Sequence, residues 1–144
     1  MTGARVLALV DGEHYPATTR WALATAEAEG LDVVACLYLG GTEKVSADGE
    51  LDLGVPVDPA GQDLAGALTD ALVRHRPDAV LDLSDEPVLG DRERAVVAAV
   101  TLAAGVRYLG PDFTVDPPIR SDLLSVPTLG VIGTGKRTGK TAVA

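Results

Sequence analysis

The chain has 144 residues, of which 47% are hydrophobic and 23% are charged, and its formal net charge is −9. This apolar content supports a folded core and excludes a largely disordered protein. The acidic balance disfavours general binding of nucleic acids or anionic membranes, so we expect neither as a partner. The single cysteine, Cys36, excludes an internal disulfide and a cysteine-rich zinc site, as is typical of a reducing compartment.

No segment has the pattern of a targeting signal or of a membrane span. The first apolar run, residues 6–10, is too short for the ~7–15-residue core of a signal peptide. The longest charge-free apolar run, residues 95–106, is shorter than the ~20 residues of a membrane helix. We therefore expect a cytoplasmic protein.

Strand-like and helix-like segments alternate along the chain. Aliphatic runs predict four strands, over residues 6–10, 33–39, 79–83 and 106–109. Helical periodicity predicts three helices, from an N-cap at Thr18 or Thr19 to a stop at Gly30, and over residues 62–75 and 91–104. This β-α-β order predicts a Rossmann-like three-layer α/β sandwich with a mostly parallel sheet.

Two segments differ from this pattern. Residues 42–58 are rich in Gly and Asp, and their alternating Leu and Val indicate a short hairpin or an extended excursion. Residues 116–127 contain three prolines, which is typical of an interdomain connector, and residues 128–132 indicate a new strand. We therefore divide the chain into an α/β domain over 1–126 and the truncated start of a nucleotide-binding domain over 127–144.

Residues 134–141 match the P-loop pattern G-x-x-x-x-G-K-[ST] at seven of eight positions, with Thr134 in place of the first glycine. In such loops small residues let backbone N–H groups surround a phosphate, and the following helix adds its dipole. Lys140 would reach the β- and γ-phosphates of a nucleotide, and the Thr141 hydroxyl would bind Mg²⁺. The residues expected to contact the nucleotide are Gly133, Gly135, Lys136, Arg137, Thr138, Gly139, Lys140 and Thr141. The structural alternative is a Gly- and Thr-rich loop with solvated lysines.

A P-loop domain also needs a later strand that carries a Walker-B-type acid. Three residues follow Thr141 in this chain. We therefore expect the chain by itself to be inactive as a nucleotide-hydrolysing enzyme.

Polar residues also follow the first and third predicted strands, as Asp11-Gly12-Glu13-His14-Tyr15-Pro16 and as Ser84-Asp85-Glu86. Ligands of open parallel sheets bind beyond the carboxyl ends of the strands. If the two strands are neighbours, one rim is lined by Asp11, Glu13, His14, Ser84, Asp85 and Glu86, with Tyr108 and Asp112 nearby.

These residue types suit phosphate chemistry. Grouped carboxylates can hold Mg²⁺ or act as a general base, and His14 can donate to a phosphate or transfer a proton near neutral pH. The candidate catalytic residues are His14 and Glu13, together with Lys140. The candidate substrate-binding residues are Asp11, Gly12, Glu13, His14, Tyr15 and Ser84. For residues 82–87 the alternative is structural, because Asp and Ser are common in loops and helix caps.

The motif Asp11-Gly12-Glu13-His14-Tyr15-Pro16, combined with the glycine-rich motif at residues 133–141, resembles the cyclic 2,3-diphosphoglycerate synthetase family. The resemblance implies an ATP-dependent ligase that requires Mg²⁺. Such an enzyme activates one phosphate of 2,3-diphosphoglycerate with ATP and closes an intramolecular phosphoanhydride, releasing ADP and phosphate. It also implies that residues 135–141 hold the ATP phosphates and that residues 11–15 belong to the ligand face of the N-terminal domain.

Two other functions use the same features. A P-loop kinase acting on a phosphoglycerate needs the same loop but leaves the phosphate on its product. Alternatively, residues 1–126 form a non-catalytic module that caps the site or mediates dimerisation, and a homodimer is compatible with either function. The acidic rim at residues 11–15 and 82–86 would repel a small phosphorylated substrate unless Mg²⁺ bridged them.

Overall fold

The computed structural model describes residues 3–41, 51–119, 126–127, 129 and 131–132. The predicted phosphate loop, residues 133–141, lies outside the described residues, as does most of the predicted strand at residues 128–132. The division of the chain into two domains therefore stays a prediction.

The described residues contain six strands, which are β1 (Ala4–Val10), β2 (Leu31–Tyr38), β3 (Val57–Pro59), β4 (Ala79–Asp82), β5 (Arg107–Leu109) and β6 (Thr114–Val115). They also contain three helices, which are α1 (Pro16–Ala28), α2 (Leu64–His75) and α3 (Asp91–Ala103). The strands form one sheet in the order β3-β2-β1-β4-β5-β6. All neighbouring strands are parallel except β5 and β6, which are antiparallel. The predicted α/β class with a mostly parallel sheet is confirmed.

The sheet has an aliphatic core on each of its faces. Successive side chains of a strand point to opposite faces. Accordingly, Leu7 and Leu9 of β1 pack with residues of α2 and α3, whereas Val6 and Ala8 pack with residues of α1. Burial on both faces explains why the strands read as continuous apolar runs, and the three layers agree with the predicted sandwich. Within this core, burial raises the pKa of the Cys36 thiol to about 12.

Helix α1 begins earlier than its threonines suggested. The expected N-cap at Thr18 or Thr19 is wrong, because the helix begins at Pro16 with Tyr15 as its N-cap residue. Proline suits the first helical position, since its fixed φ matches the helix and its missing N–H costs no bond there. Thr19 is buried within the helix instead of capping it.

The described part of the segment after β2 does not form a hairpin with β2. Strand β3 pairs in parallel with β2, with Cys36 opposite Val57, and parallel neighbours cannot be joined by a tight hairpin turn. Residues 57–58 therefore do not form a hairpin with β2, while a hairpin within residues 42–58 stays a prediction, because residues 42–50 lie outside the described residues. None of the helices in the described ranges is long and apolar enough to cross a membrane.

Candidate functional site

The carboxyl ends of β1 and β4 meet at the centre of the sheet, with Leu9 of β1 opposite Asp82 of β4. Here the strand order reverses, because β1 is followed by β2 on one side while β4 and β5 lie on the other. Such switch points are the usual ligand sites of open α/β sheets. A cavity of about 360 Å³ lies at this point, between the β1–α1 loop and the β4–α3 loop. Of the predicted rim residues, Asp11, His14, Ser84 and Asp85 line this cavity, as does the neighbouring Asp112, whereas Glu13 and Glu86 are not among the residues described as lining it.

Asp11 holds the two loops together. It is only 3% exposed, and its Oδ1 accepts hydrogen bonds from the backbone N–H groups of Glu13, at 2.9 Å, and His14, at 3.3 Å. Its Oδ2 accepts a hydrogen bond from the backbone N–H of Asp85 in the opposite loop, at 2.7 Å. These donors stabilise a carboxylate in a buried position and leave it a structural role at the edge of the cavity.

The His14 ring is oriented by the same carboxylate. Its Nδ1 lies 2.9 Å from Asp11 Oδ1. Because an ionised carboxylate only accepts hydrogen bonds, Nδ1 carries the proton of this contact, and the lone pair of a neutral ring is on Nε2. His14 can therefore accept a proton at Nε2 or, once protonated, donate from it to an anion.

Gly12 allows the β1–α1 loop to pass close to the end of β2. Its backbone N–H donates to the Gly40 carbonyl oxygen at 2.8 Å, and a Cβ at this position would overlap the Gly41 carbonyl oxygen. The Tyr38 hydroxyl donates to the same Gly41 oxygen. Burial raises the pKa of Tyr38, and the carboxylates of Asp11 and Glu13 raise it further.

The predicted residues of the first loop therefore separate into two groups. Asp11 and His14 line the cavity, whereas Gly12, Glu13 and Tyr15 are not among the residues described as lining it. Tyr15 is 62% exposed at the start of α1. The loop thus brings one imidazole, supported by one carboxylate, to the ligand side.

Asp82 organises the opposite loop. It is 4% exposed, its Oδ2 accepts from the Tyr108 hydroxyl at 2.6 Å, and its Oδ1 accepts from the Ser84 backbone N–H at 3.0 Å. The Ser84 hydroxyl also donates to Oδ1. This hydrogen bond fixes the side chain of Ser84, which was predicted from the sequence to bind substrate. Burial raises the pKa of Tyr108, and the hydrogen bond of its hydroxyl to Asp82 and the negative charge of Asp82 raise it further.

The lining also includes Trp21, Arg94 and Phe113, which were not predicted as site residues from the sequence. Trp21 lies on α1 and is 70% exposed. The Phe113 ring packs edge-on against Tyr108, with ring centroids 5.0 Å apart. Arg94 lies in the first turn of α3, but so does Arg92, so this position alone does not single out Arg94 in the sequence.

Within the described ranges, no group of three or more His, Cys, Asp and Glu side chains is placed to hold a metal ion. The oxygens of Asp11 and Asp82 accept hydrogen bonds from N–H and O–H donors, which explains why these buried acids do not form an open metal site. The predicted nucleotide-contacting residues and the predicted Mg²⁺ ligand Thr141 lie outside the part of the chain that the structure describes.

Comparison with known proteins identifies similar chains. Residues 5–116 match the profile of a protein family described as cyclic 2,3-diphosphoglycerate synthetase, N-terminal domain. A protein of Rubrobacter xylanophilus named cyclic 2,3-diphosphoglycerate synthetase is 48% identical over 140 residues, which cover 96% of this chain and 31% of that protein. Proteins of the same name from Methanothermobacter thermautotrophicus and Thermococcus onnurineus are both 43% identical, over 96% of this chain and 32% and 31% of their own lengths. The chain thus spans about a third of the length of these curated relatives.

Proposed function

Because this chain belongs to the cyclic 2,3-diphosphoglycerate synthetase family, with residues 5–116 matching its N-terminal domain, we propose that the protein is an ATP-dependent ligase. Its product would be the cyclic phosphoanhydride of 2,3-diphosphoglycerate. The observation that carries this proposal is the 48% identity to a synthetase over 96% of the chain. The matched residues include both loops that enclose the cavity.

The proposed reaction joins the two phosphates of one substrate molecule. One phosphate receives the γ-phosphoryl group of ATP, and an oxygen of the other phosphate then attacks the phosphorus nearest the carbon skeleton. The new P–O–P bond closes the ring as inorganic phosphate leaves, so ADP and phosphate are the other products. Residues 133–141 would hold ATP, with Lys140 on its β- and γ-phosphates and Thr141 on Mg²⁺, because their sequence matches a P-loop at seven of eight positions.

We assign the substrate to the cavity between the β1–α1 and β4–α3 loops. Its volume of about 360 Å³ suits a small metabolite. Of the predicted catalytic residues of the first loop, His14 lines this cavity, and its Nε2 would hold a phosphate oxygen or transfer a proton to the leaving phosphate. The predicted roles of Glu13 as a catalytic residue and of Gly12 and Tyr15 in substrate binding stay predictions.

The buried acids of the cavity repel the substrate less than their number suggests. Asp11 and Asp82 both accept hydrogen bonds from backbone N–H groups, and Asp82 also accepts from Tyr108. These donors offset part of the negative charge at the cavity wall. The net acidity that remains, from Asp85 and Asp112, still requires a cation beside the substrate.

The proposal is tested on the intact protein with 2,3-diphosphoglycerate, ATP and Mg²⁺. We expect ³¹P NMR to show the cyclic phosphoanhydride, with one ADP and one inorganic phosphate formed for each ring. A kinase would instead form ADP without inorganic phosphate and leave a linear product. The absence of cyclic product would overturn the proposal.

Lys140→Ala tests the assignment of the P-loop. We expect it to lower the rate of ring closure by at least about 100-fold, because it removes a charge that stabilises the transferring phosphoryl group. The matched control is Lys44→Ala, which removes the same charge outside the predicted loop and is expected to leave the rate unchanged. An unchanged rate in Lys140→Ala would show that residues 134–141 do not hold the nucleotide.

A further inference from the structure

Arg94 lies at the fourth position of α3, and its side chain lines the same cavity as His14. Helical side chains lean toward the N-terminal end of their helix. Arg94 therefore reaches back over the first turn of α3 and toward the end of β4, where its Nη2 donates to the Ser84 carbonyl oxygen at 2.9 Å. Its Nε lies 3.4 Å from Asp82 Oδ2. These two contacts fix the guanidinium group at the wall of the cavity.

One nitrogen of this guanidinium group makes no hydrogen bond to the described residues. The Ser84 and Asp82 contacts engage Nη2 and Nε, and among the described residues Nη1 has no hydrogen-bond partner. The side chain is 33% exposed, so this end is accessible from the cavity. An arginine held along one edge can present its remaining N–H groups to a planar or tetrahedral anion.

A purely structural ion pair with Asp82 does not explain this arrangement. Asp82 already accepts hydrogen bonds from Tyr108 and from the backbone N–H and hydroxyl of Ser84, so it does not need Arg94 to satisfy its oxygens. The contact of 3.4 Å is also longer than a charge-assisted hydrogen bond of ~2.8 Å. Asp82 therefore orients Arg94 and neutralises only part of its charge.

The geometry points to Arg94 as a substrate-binding residue that takes an anionic group, a phosphate or a carboxylate, across the cavity from the Asp11–His14 pair. This inference rests on the proposed function, because it takes the substrate of that same cavity to be a small polyanion. Arg94 is the cation that the acidic rim requires, since the lining described otherwise contains the acids Asp11, Asp82, Asp85 and Asp112 and the titratable His14. Asp82 and Ser84 act as positioning residues for it.

Arg94→Gln in the intact protein tests this inference. It removes the charge while keeping a long polar side chain, and we expect the KM for 2,3-diphosphoglycerate to rise about 10- to 100-fold, the range of a charged hydrogen bond. The KM for ATP should stay within about twofold of wild type, because the nucleotide is assigned to other residues. Arg94→Lys keeps the charge without the fork of N–H groups and should recover part of the lost affinity.

The matched control is Arg92→Gln, which removes the same charge from an exposed position two residues earlier on α3. It should leave both KM values unchanged. Circular dichroism of each variant without substrate checks that the fold is intact. A KM in Arg94→Gln equal to that of Arg92→Gln would overturn the inference.

Calorimetric titration with 2,3-diphosphoglycerate separates this inference from the proposed function. If the wild-type protein binds the compound through Arg94 but forms no ring, the proposed reaction is wrong and the anion site stands. If it forms the ring and Arg94→Gln binds as tightly as wild type, the reaction stands and the anion site is wrong. If the wild-type protein does not bind the compound, both are wrong.

Glycerol 1,2-bisphosphate, which lacks the carboxylate, identifies the group that Arg94 binds. If Arg94→Gln weakens binding of both compounds equally, Arg94 binds a phosphate. If it weakens binding of 2,3-diphosphoglycerate alone, Arg94 binds the carboxylate. Either result supports the inference, and unchanged binding of both compounds contradicts it.

Discussion

At the scale of single residues, the site depends on two buried carboxylates that act on other side chains. Asp11 orients the His14 ring through Nδ1, and Asp82 lies against the guanidinium group of Arg94. Both acids also bind the backbone of the loops around them, which keeps the orienting atoms in place. The groups that face the cavity are thus fixed by residues whose own hydrogen bonds are satisfied.

Asp11→Asn tests this support. The amide cannot accept hydrogen bonds from both of its atoms, so either the Asp85 N–H or the bonds to Glu13 and His14 are lost. We expect the kcat of ring closure to fall about 10-fold or more, as happens when the residue that orients a histidine loses its charge. The matched control, Asp70→Asn on the exposed face of α2, should keep the wild-type kcat. A kcat within twofold of wild type in Asp11→Asn would show that the carboxylate does not act through His14.

At the scale of elements, the sequence predicts the strands and helices well where a single local sequence pattern determines the type and position of the element. The aliphatic runs gave the positions of β1, β2 and β4, and the apolar periodicity gave α2 and α3 to within two residues. The predicted start of α1 was wrong because two helix-start signals compete there. Proline at the first helical position outweighs the nearby threonines as possible N-caps. The parallel pairing of β3 with β2 depends on a distant partner, so no local pattern reveals it.

Some parts of the candidate site could likewise be predicted from local sequence, and others could not. The loops after β1 and β4 were found because polar residues directly follow buried strands, and a parallel sheet brings such ends together. Arg94 and Trp21 were missed because a helical position does not show which neighbouring loop a long side chain reaches. Similarly, the exclusion of Glu13 from the cavity lining follows from the path of one loop, which local sequence does not specify.

Gly12→Ala tests the contact between the β1–α1 loop and the end of β2. The added methyl group would overlap the Gly41 carbonyl oxygen and crowd the Tyr38 hydroxyl, so one of the two loops must move. We expect the free energy of unfolding to fall by about 1–3 kcal/mol, measured by urea denaturation of the intact protein. Gly90→Ala is the control, since its Cβ would meet only the flexible end of Glu93. Equal stability of the two variants would show that the loops adjust freely.

At the scale of the whole molecule, the cavity is lined by residues from all three layers of the sandwich. Helix α1 contributes Trp21 from one face of the sheet, and α3 contributes Arg94 from the other face. The carboxyl ends of β1 and β4 lie between them. The distance between the two helices, and hence the shape of the cavity, depends on how firmly each is packed against the sheet.

Val97→Ala tests this dependence at the buried side of α3. Val97 is fully buried in the core that includes Leu7 and Leu9, whereas the adjacent Val96 is 37% exposed. Removing its two methyl groups should lower the free energy of unfolding by about 2 kcal/mol, while Val96→Ala should change it by less than about 0.5 kcal/mol. If the packing of α3 also positions Arg94, Val97→Ala will raise the KM for 2,3-diphosphoglycerate and leave the KM for ATP unchanged. A loss of stability without any change in KM would show that Asp82 and Ser84 hold the guanidinium group independently of the core beneath α3.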